Sequence, residues 1–504
     1  MQTPRPPIAV MWFRNDLRLT DNPALHAALN WASDNNGTVL PIYILDDVME
    51  KQLGGATRWW LEQSLSALAT AIAAKDSTTE NQPSATPLHL FRDNAQQVIS
   101  RLRDDHDIAA IFWNRSYDPQ SVQRDSALKN RCRDVWNLPC ESFNSHLLFE
   151  PWQVKTGAGT SFKVFSPFWR ACLKMPPPAR PQPAPKTMPL SAIAPENAVT
   201  LAKLALSPTP VDWAEGLAER FTPGEQAARD QLHDFIDDRL VDYADLRDRP
   251  DHRVTSELSP HLRFGEISPR EIWHALSHHA EAEPGHGKTA SKFLSELGWR
   301  EFAHHVLFHA DDLRRKPLQA QFAQFPWRES KTDLQAWQRG QTGYPIVDAG
   351  MRELWHTGYM HNRVRMIVGS LLVKHLLQHW QHGLEWFDDT LVDACPAADP
   401  FSWQWIGGSG ADAAPYFRIF NPVLQGEKFD SNGDYVRQWV PELRDLPTAH
   451  IHKPWEAPPL ILQGAGVKLG QTYPKPIVDL KGGRDRAMNA YREMKAASTG
   501  DNPG

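Results

Sequence analysis

The chain has 504 residues and a mass of 57.1 kDa, too long for one compact domain, so two or three are expected. A formal net charge of −6 excludes a chain that coats nucleic acid through overall charge, while leaving room for a local basic patch. Four cysteines, Cys132, Cys140, Cys172 and Cys395, without CxxC spacing exclude a disulfide framework and a cysteine zinc site. With no signal peptide and no long apolar run, a cytoplasmic location is expected. The 20 Trp against 9 Tyr invite a reason beyond packing, because a buried indole N–H needs a partner.

Short apolar runs at 7–13, 38–45, 87–91 and 109–113 read as buried strands, with amphipathic helical segments at 22–33, 57–74 and 95–105 between them. That alternation predicts an α/β domain with a doubly wound parallel sheet over 1–150. The loop RNDLRLTDNPAL puts Arg14, Asp16, Arg18 and Asp21 at the carboxyl end of the first strand, where ligands of open α/β sheets tend to sit. No GxGxxG is present, so the dinucleotide fingerprint is absent. The Pro-rich run 175–190 reads as extended, within an interdomain connection over 151–219. From 220 to 504 the pattern is helical without strands, which predicts an all-α C-terminal domain.

Several helical motifs carry chemistry. In YADLRDRPDHRVTSELSP, Thr255, Ser256 and Ser259 follow a turn and Pro260 permits a first helical turn. Small hydroxyls beside free N–H groups make either an anion site or a plain N-cap. GHGKT at 285–289 imitates a P-loop but has Ala282 in place of the first Gly. His305 and His309 share a helix face without a third ligand nearby, so no metal site is expected. Phe293, Glu296 and Arg300 fall on one face of a helix, with Trp299 three residues beyond Glu296. MHNRVRM puts Asn362 and Met366 on one face and Arg363 on its neighbour. Trp380 is expected on the same helix, roughly 21 Å beyond Met366. Trp327 sits in the turn FPWRES, and a terminal helix is expected over 482–497.

The densest stretch is DACPAADPFSWQWIGGSGADAAPYFRIFNP, Asp393 to Pro422. Trp403 and Trp405 flank Gln404; Tyr416, Phe417 and Phe420 surround Arg418; Asp393, Asp399 and Asp412 supply carboxylates. Read alone, it is either a Trp-rich packing corner or a ligand site. It resembles the flavin-binding and electron-transfer segment of the photolyase/cryptochrome family. WFRNDLRLTDNPAL and NRSYDP at 114–119 resemble that family's antenna domain. The likeness runs from residue 8 to about 480 and is nearest bacterial class I-type cyclobutane pyrimidine dimer photolyases.

The resemblance implies a non-covalent FAD in the helical domain, and a second antenna chromophore of folate or deazaflavin type between which the sequence does not choose. It implies damaged DNA as partner, a monomer without membrane attachment, and light-driven dimer repair by electron transfer from reduced FAD. The alternative is a blue-light receptor of cryptochrome type. FAD contacts are implied for Tyr243, Thr255, Ser256, Glu257, Leu258, Ser259, Phe293 and Arg300. They are also implied for Arg365, Asp393, Ala394, Cys395 and Asp399, with Arg365 and Asp393 forming an ion pair. Glu296, Trp299, Asn362 and Met366 would hold the dimer. Arg247, Arg363, Trp405, Arg418 and Gln425 would contact DNA. Trp403, Trp380 and Trp327 would carry the hole outward during photoreduction. Three departures stand out: Cys395 replaces an Asp, Phe293 stands where some relatives have Trp, and Asp399 stands where repair enzymes usually have Asn. Plant cryptochromes have Asp there, near flavin N5. Burial is expected to raise its pKa.

Overall fold

The structure is a computed structural model that describes residues 6–77, 87–207, 213–413, 415–416 and 418–499. Phe417, grouped with Arg418 above, lies outside the described residues.

Five strands form one parallel sheet: β1 (Ile8–Phe13), β2 (Thr38–Ile44), β3 (His89–Phe91), β4 (Ile108–Asn114) and β5 (Cys140–Phe143), in the order β3-β2-β1-β4-β5. All six residues of β1 are buried, as a strand covered on both faces requires. Ala9, Met11 and Phe13 join one core while Ile8, Val10 and Trp12 join another, on opposite sides of the sheet. The covering helices are α1 (Pro23–Asp34), α2 (Gly55–Ala73), α3 (Ala95–Asp105) and α4 (Pro119–Arg131). Asn22 starts α1 by accepting from the Leu25 amide, with Pro23 at the first helical position. The sequence predicted four strands; β5 was missed because it is a four-residue, half-exposed edge.

The segment at 151–219 is more than a linker. Its helix α5 (Phe165–Cys172) packs in the core of the helical domain. The Pro-rich run instead lies along the sheet domain, with bridges Asp76 to Met188 and Val39 to Leu190. Beyond it come α6 (Leu240–Leu246), α7 (Ser259–Phe264), α8 (Gly287–His309), α9 (Pro345–Thr357) and α10 (Asn362–Ser370). They are followed by α11 (Trp380–Thr390), α12 (Ala398–Gly407), α13 (Pro422–Phe429) and α14 (Leu480–Thr499). Among the described residues no named strand lies in this half, and no helix is long and apolar enough to cross a membrane.

One expectation is corrected here. Trp380 does not continue the helix that carries Met366. That helix ends at Ser370, a π-turn covers Leu371–His375, and Leu377 takes φ 53° before α11 starts at Trp380. The apolar spacing of SLLVKHLL mimics a continuing helix, and no Gly or Pro marks the break.

The two halves are fastened by buried polar contacts. Arg18 donates to Gly265 O at 2.8 Å, Glu225 accepts from the Leu19 and Thr20 amides, and Arg270 pairs with Asp21 at 2.9 Å. Gly265 has φ 66°, and a Cβ there would stand 2.0 Å from Asn15 O. Arg14 is likewise committed, to Asp125 and the Asn114 carbonyl. Of the four charged residues in the loop after β1, Arg14, Arg18 and Asp21 hold the fold together; only Asp16 lines a cavity.

Candidate functional site

Two contiguous cavities open where the two cores of the helical domain meet. The first encloses about 1180 Å³ of empty space, open solvent included. Thr255, Ser256, Glu257, Leu258 and Ser259 form one wall; Tyr243, Phe293 and Arg300 form another; Arg365, Asp393, Cys395 and Asp399 close it. The second, about 1700 Å³, shares Glu296, Arg300, Asn362, Arg365, Asp393 and Asp399 with the first. It adds Trp299, Arg363, Met366, Trp403 and Trp405. Residues spread over more than 150 positions of sequence therefore face one space. Ala394 does not line it: its carbonyl accepts from Arg263 Nε at 2.7 Å and its side chain is buried.

The hydroxyl-rich wall is pre-built. Glu257 takes a left-handed φ of 55°, unusual for a residue with a side chain. Its carboxylate is held by Arg220 at 2.5 Å and Arg253 at 2.7 Å. Burial pushes that carboxyl up, but the two guanidinium groups outweigh it and hold it below the usual range. Leu258 at the start of α7 supplies no side-chain cap; its amide donates to Ser256 Oγ at 3.4 Å and the Thr255 hydroxyl meets the Tyr359 hydroxyl at 3.3 Å, while Thr255, Ser256 and Ser259 all line the cavity.

The opposite side is acidic and buried. Arg365 meets Asp393 through two contacts at 3.1 and 2.9 Å, and its Nε donates to Met360 O. Asp399 is 6% exposed and accepts from the Cys395 amide at 2.8 Å. Burial, with Asp393 and Asp388 nearby, pushes its pKa up to about 8 despite Arg365. Cys395 thus acts here through its backbone. Arg300 is bracketed by His146, whose carbonyl and ring nitrogen both lie at 2.8 Å, and burial holds the His146 imidazole well below its usual pKa.

The mouth carries two ion pairs from adjacent residues. Arg247 pairs with Glu296 at 2.5 Å, and Asp248 pairs with Arg363 at 2.8 Å. Arg363 also lies over Phe429 of α13 at 4.4 Å. Arg418 is exposed and Gln425 half-buried on α13, both outside the cavity lining.

Trp403 lines the cavity and leans on α11, where a Cβ on Gly383 would stand 2.1 Å from its Cη2. Trp380, on the same helix one turn earlier, is buried. His379 stacks on Trp380 at 5.6 Å and meets the half-buried Trp327 at 5.1 Å. Trp403 and Trp380 are both buried, and His379 stands between Trp380 and the half-buried Trp327.

Sequence reasoning missed Phe165, Arg220, His146, Tyr359 and His379, all of which meet site residues across long sequence distances. A third, smaller cleft lies between the domains at the carboxyl ends of β1 and β4, lined by Asn15, Asp16, Asn114, Arg115, Tyr117 and His146. The His305 and His309 rings are 4.5 Å apart, but among the described residues no cluster of three metal-ligating side chains exists.

Comparison with known proteins decides the family. The model of the DNA photolyase domain matches residues 9–186, and that of the FAD binding domain of DNA photolyase matches residues 293–493. The chain belongs to the photolyase/cryptochrome family. A deoxyribodipyrimidine photo-lyase of Agrobacterium fabrum is 46% identical over 489 residues, 96% of this chain and 98% of that protein. Cryptochrome-2 of Arabidopsis thaliana is 37% identical over 97% of this chain and 79% of its own length. A solved bacterial class III photolyase from Agrobacterium tumefaciens superposes with a TM-score of 0.91 at 45% identity, covering 98% and 99% of the two chains. The class I-type likeness read from the motifs therefore stands beside a relative described as class III. The matched FAD-binding model spans Phe293, Arg300, Arg365, Asp393 and Asp399 of the seam cavity, whose hydroxyl wall, Arg365–Asp393 pair and buried acid fit such a ligand.

Proposed function

We propose that the protein repairs cyclobutane pyrimidine dimers in DNA under blue light. The observation that carries this reading is that Glu296, Trp299, Asn362 and Met366 share one cavity with Arg365, Asp393 and Asp399. Bound, reduced FAD would supply the electron that splits the dimer. Thr255, Ser256 and Ser259 would hold its phosphates, and Arg365, fixed by Asp393, would face its ring system. Ala394, behind the wall, is left out of the contact set.

The dimer has to leave the duplex to reach this cavity, which costs on the order of a few kcal/mol and less for damaged bases. Asn362 and Glu296 offer hydrogen bonds to the extruded bases, while Trp299 and Met366 offer apolar surface that excludes water. Arg247 and Arg363 stand at the mouth for flanking phosphates, with Trp405 beside them and Arg418 and Gln425 farther out. Asp399 holds a proton at neutral pH beside the flavin. A second chromophore of folate or deazaflavin type belongs, in this reading, to the interdomain cleft. The protein would act as a monomer in the cytoplasm, which light scattering and cell fractionation test.

A receptor role is the second reading, favoured by the buried, proton-holding Asp399 in place of an amide. One assay separates the two. Chemically reduced, FAD-loaded protein is illuminated with a dimer-containing oligonucleotide. Restoration of the intact strand supports repair, and intact flavin with no restoration supports the receptor.

A further inference from the structure

Phe165 lies face to face on Trp299, with ring centroids 3.8 Å apart and planes 13° apart. Phe165 is the first residue of α5, and no side chain of its own segment caps that helix. The cap comes from 247 residues away: Asp412 Oδ2 accepts from the Phe165 amide at 3.2 Å. The Asp412 amide in turn donates to Lys163 O at 3.1 Å. Asp412 takes φ 47° to do so. A second contact brings the same two helices together. A Cβ on Gly298, next to Trp299, would stand 2.7 Å from the Trp169 ring of α5. Trp299 also meets Phe401 of α12 in a tilted contact, with centroids 6.2 Å apart, and lines the cavity.

From this geometry we infer that Phe165, clipped in place by Asp412, is a positioning residue that sets the plane of Trp299 for stacking on the extruded bases. The inference rests on the reading of Trp299 given above. Phe165 covers one face of the indole, so one face alone is left for a base. It also removes the ring's freedom to tilt, so the ordering cost of stacking is met during folding and not at binding. Neither Phe165 nor Asp412 lines the cavity, so their effect passes through Trp299.

The test uses full-length, FAD-loaded protein and compares the Kd for a dimer-containing oligonucleotide with that for the same strand undamaged. Trp299→Ala is expected to weaken dimer binding. Phe165→Leu is expected to weaken it about three- to tenfold, the range set by an aromatic pair, with undamaged binding and FAD content unchanged. Phe165→Tyr, which keeps the stacked ring, is expected to restore the ratio. Asp412→Gly suits the positive φ while removing the clip, and is expected to lower the ratio in the same direction. A lowered melting temperature with an unchanged ratio in both Phe165→Leu and Asp412→Gly overturns the inference. Should Phe165→Leu fail to fold, Asp412→Gly alone decides by the same ratio. If Trp299→Ala leaves the ratio unchanged, the reading of Trp299 fails and the inference falls with it.

Discussion

Arg363 and Asp248 face each other across the cavity mouth in an ion pair of 2.8 Å. The other side-chain contacts of Arg363 are weak acceptors, the Met366 sulfur at 3.8 Å and the Phe429 ring, and its buried Nε has no partner among the described residues. Asp248 is 38% exposed on its side chain, so the pair is accessible to an incoming phosphate.

That arrangement alters what a mutation at the mouth should do. A phosphodiester has to displace Asp248 to reach Arg363, and the displaced carboxylate then faces DNA. Asp248→Asn should tighten binding to undamaged DNA and steepen its salt dependence by up to about one unit of slope. Titration across a salt series checks it; an unchanged slope would place the phosphate contact elsewhere.

Asp399 should leave a signature in stability. Its carboxyl is pushed from 3.8 up to about 8. Between about pH 4 and about pH 8 the folded protein therefore keeps a proton that the unfolded chain has lost, so this group's contribution falls as pH rises. Asn does not titrate. In FAD-free protein, the melting temperature of Asp399→Asn relative to wild type should rise from about pH 5 to about pH 8. A flat difference would mean that the carboxyl ionises normally.

The close approach of Trp403 to Gly383 gives a way to test the proposed tryptophan path. Trp380→Phe keeps aromatic volume and should block light-driven flavin reduction while sparing repair by chemically reduced protein. Gly383→Ala should block the same reduction by displacing Trp403 and destabilise the fold by about 1–3 kcal/mol. Flavin reduction at the parental rate in both variants would show that the hole leaves by another route.

Arg220 contacts Glu257 behind the hydroxyl-rich wall and does not line the cavity. Arg220→Ala should remove one of the two guanidinium groups that hold the left-handed Glu257 and weaken FAD binding about tenfold, a loss near 1.4 kcal/mol. Equilibrium dialysis measures it, and unaltered FAD affinity would make Arg220 a plain structural residue.

The sequence made much of this site legible, for identifiable reasons. Buried parallel strands read as continuous apolar runs, so β1 to β4 were visible, whereas the polar edge strand β5 was not. Helical spacing put Phe293, Glu296 and Arg300 on one face, and all three line the cavity. The same spacing misled at Trp380, because the break at Leu377 depends on packing and not on a local stop signal. Phe165 and Arg220 could not be found by pattern, since each acts on a partner at least 37 positions away.

By itself the sequence determined which kinds of groups were available: the two fold classes, the hydroxyls at 255–259, the aromatic and carboxylate run from Asp393, and the likeness to a flavoprotein family. The tertiary structure decided which of them meet. It buried Asp399 beside Asp393, covered one face of Trp299 with Phe165, paired Arg363 with Asp248, and turned Arg18 and Asp21 after β1 into fasteners between domains. The physical reason is that periodicity is local, while electrostatic environment and ring contact depend on distances that exist only once the chain has closed on itself.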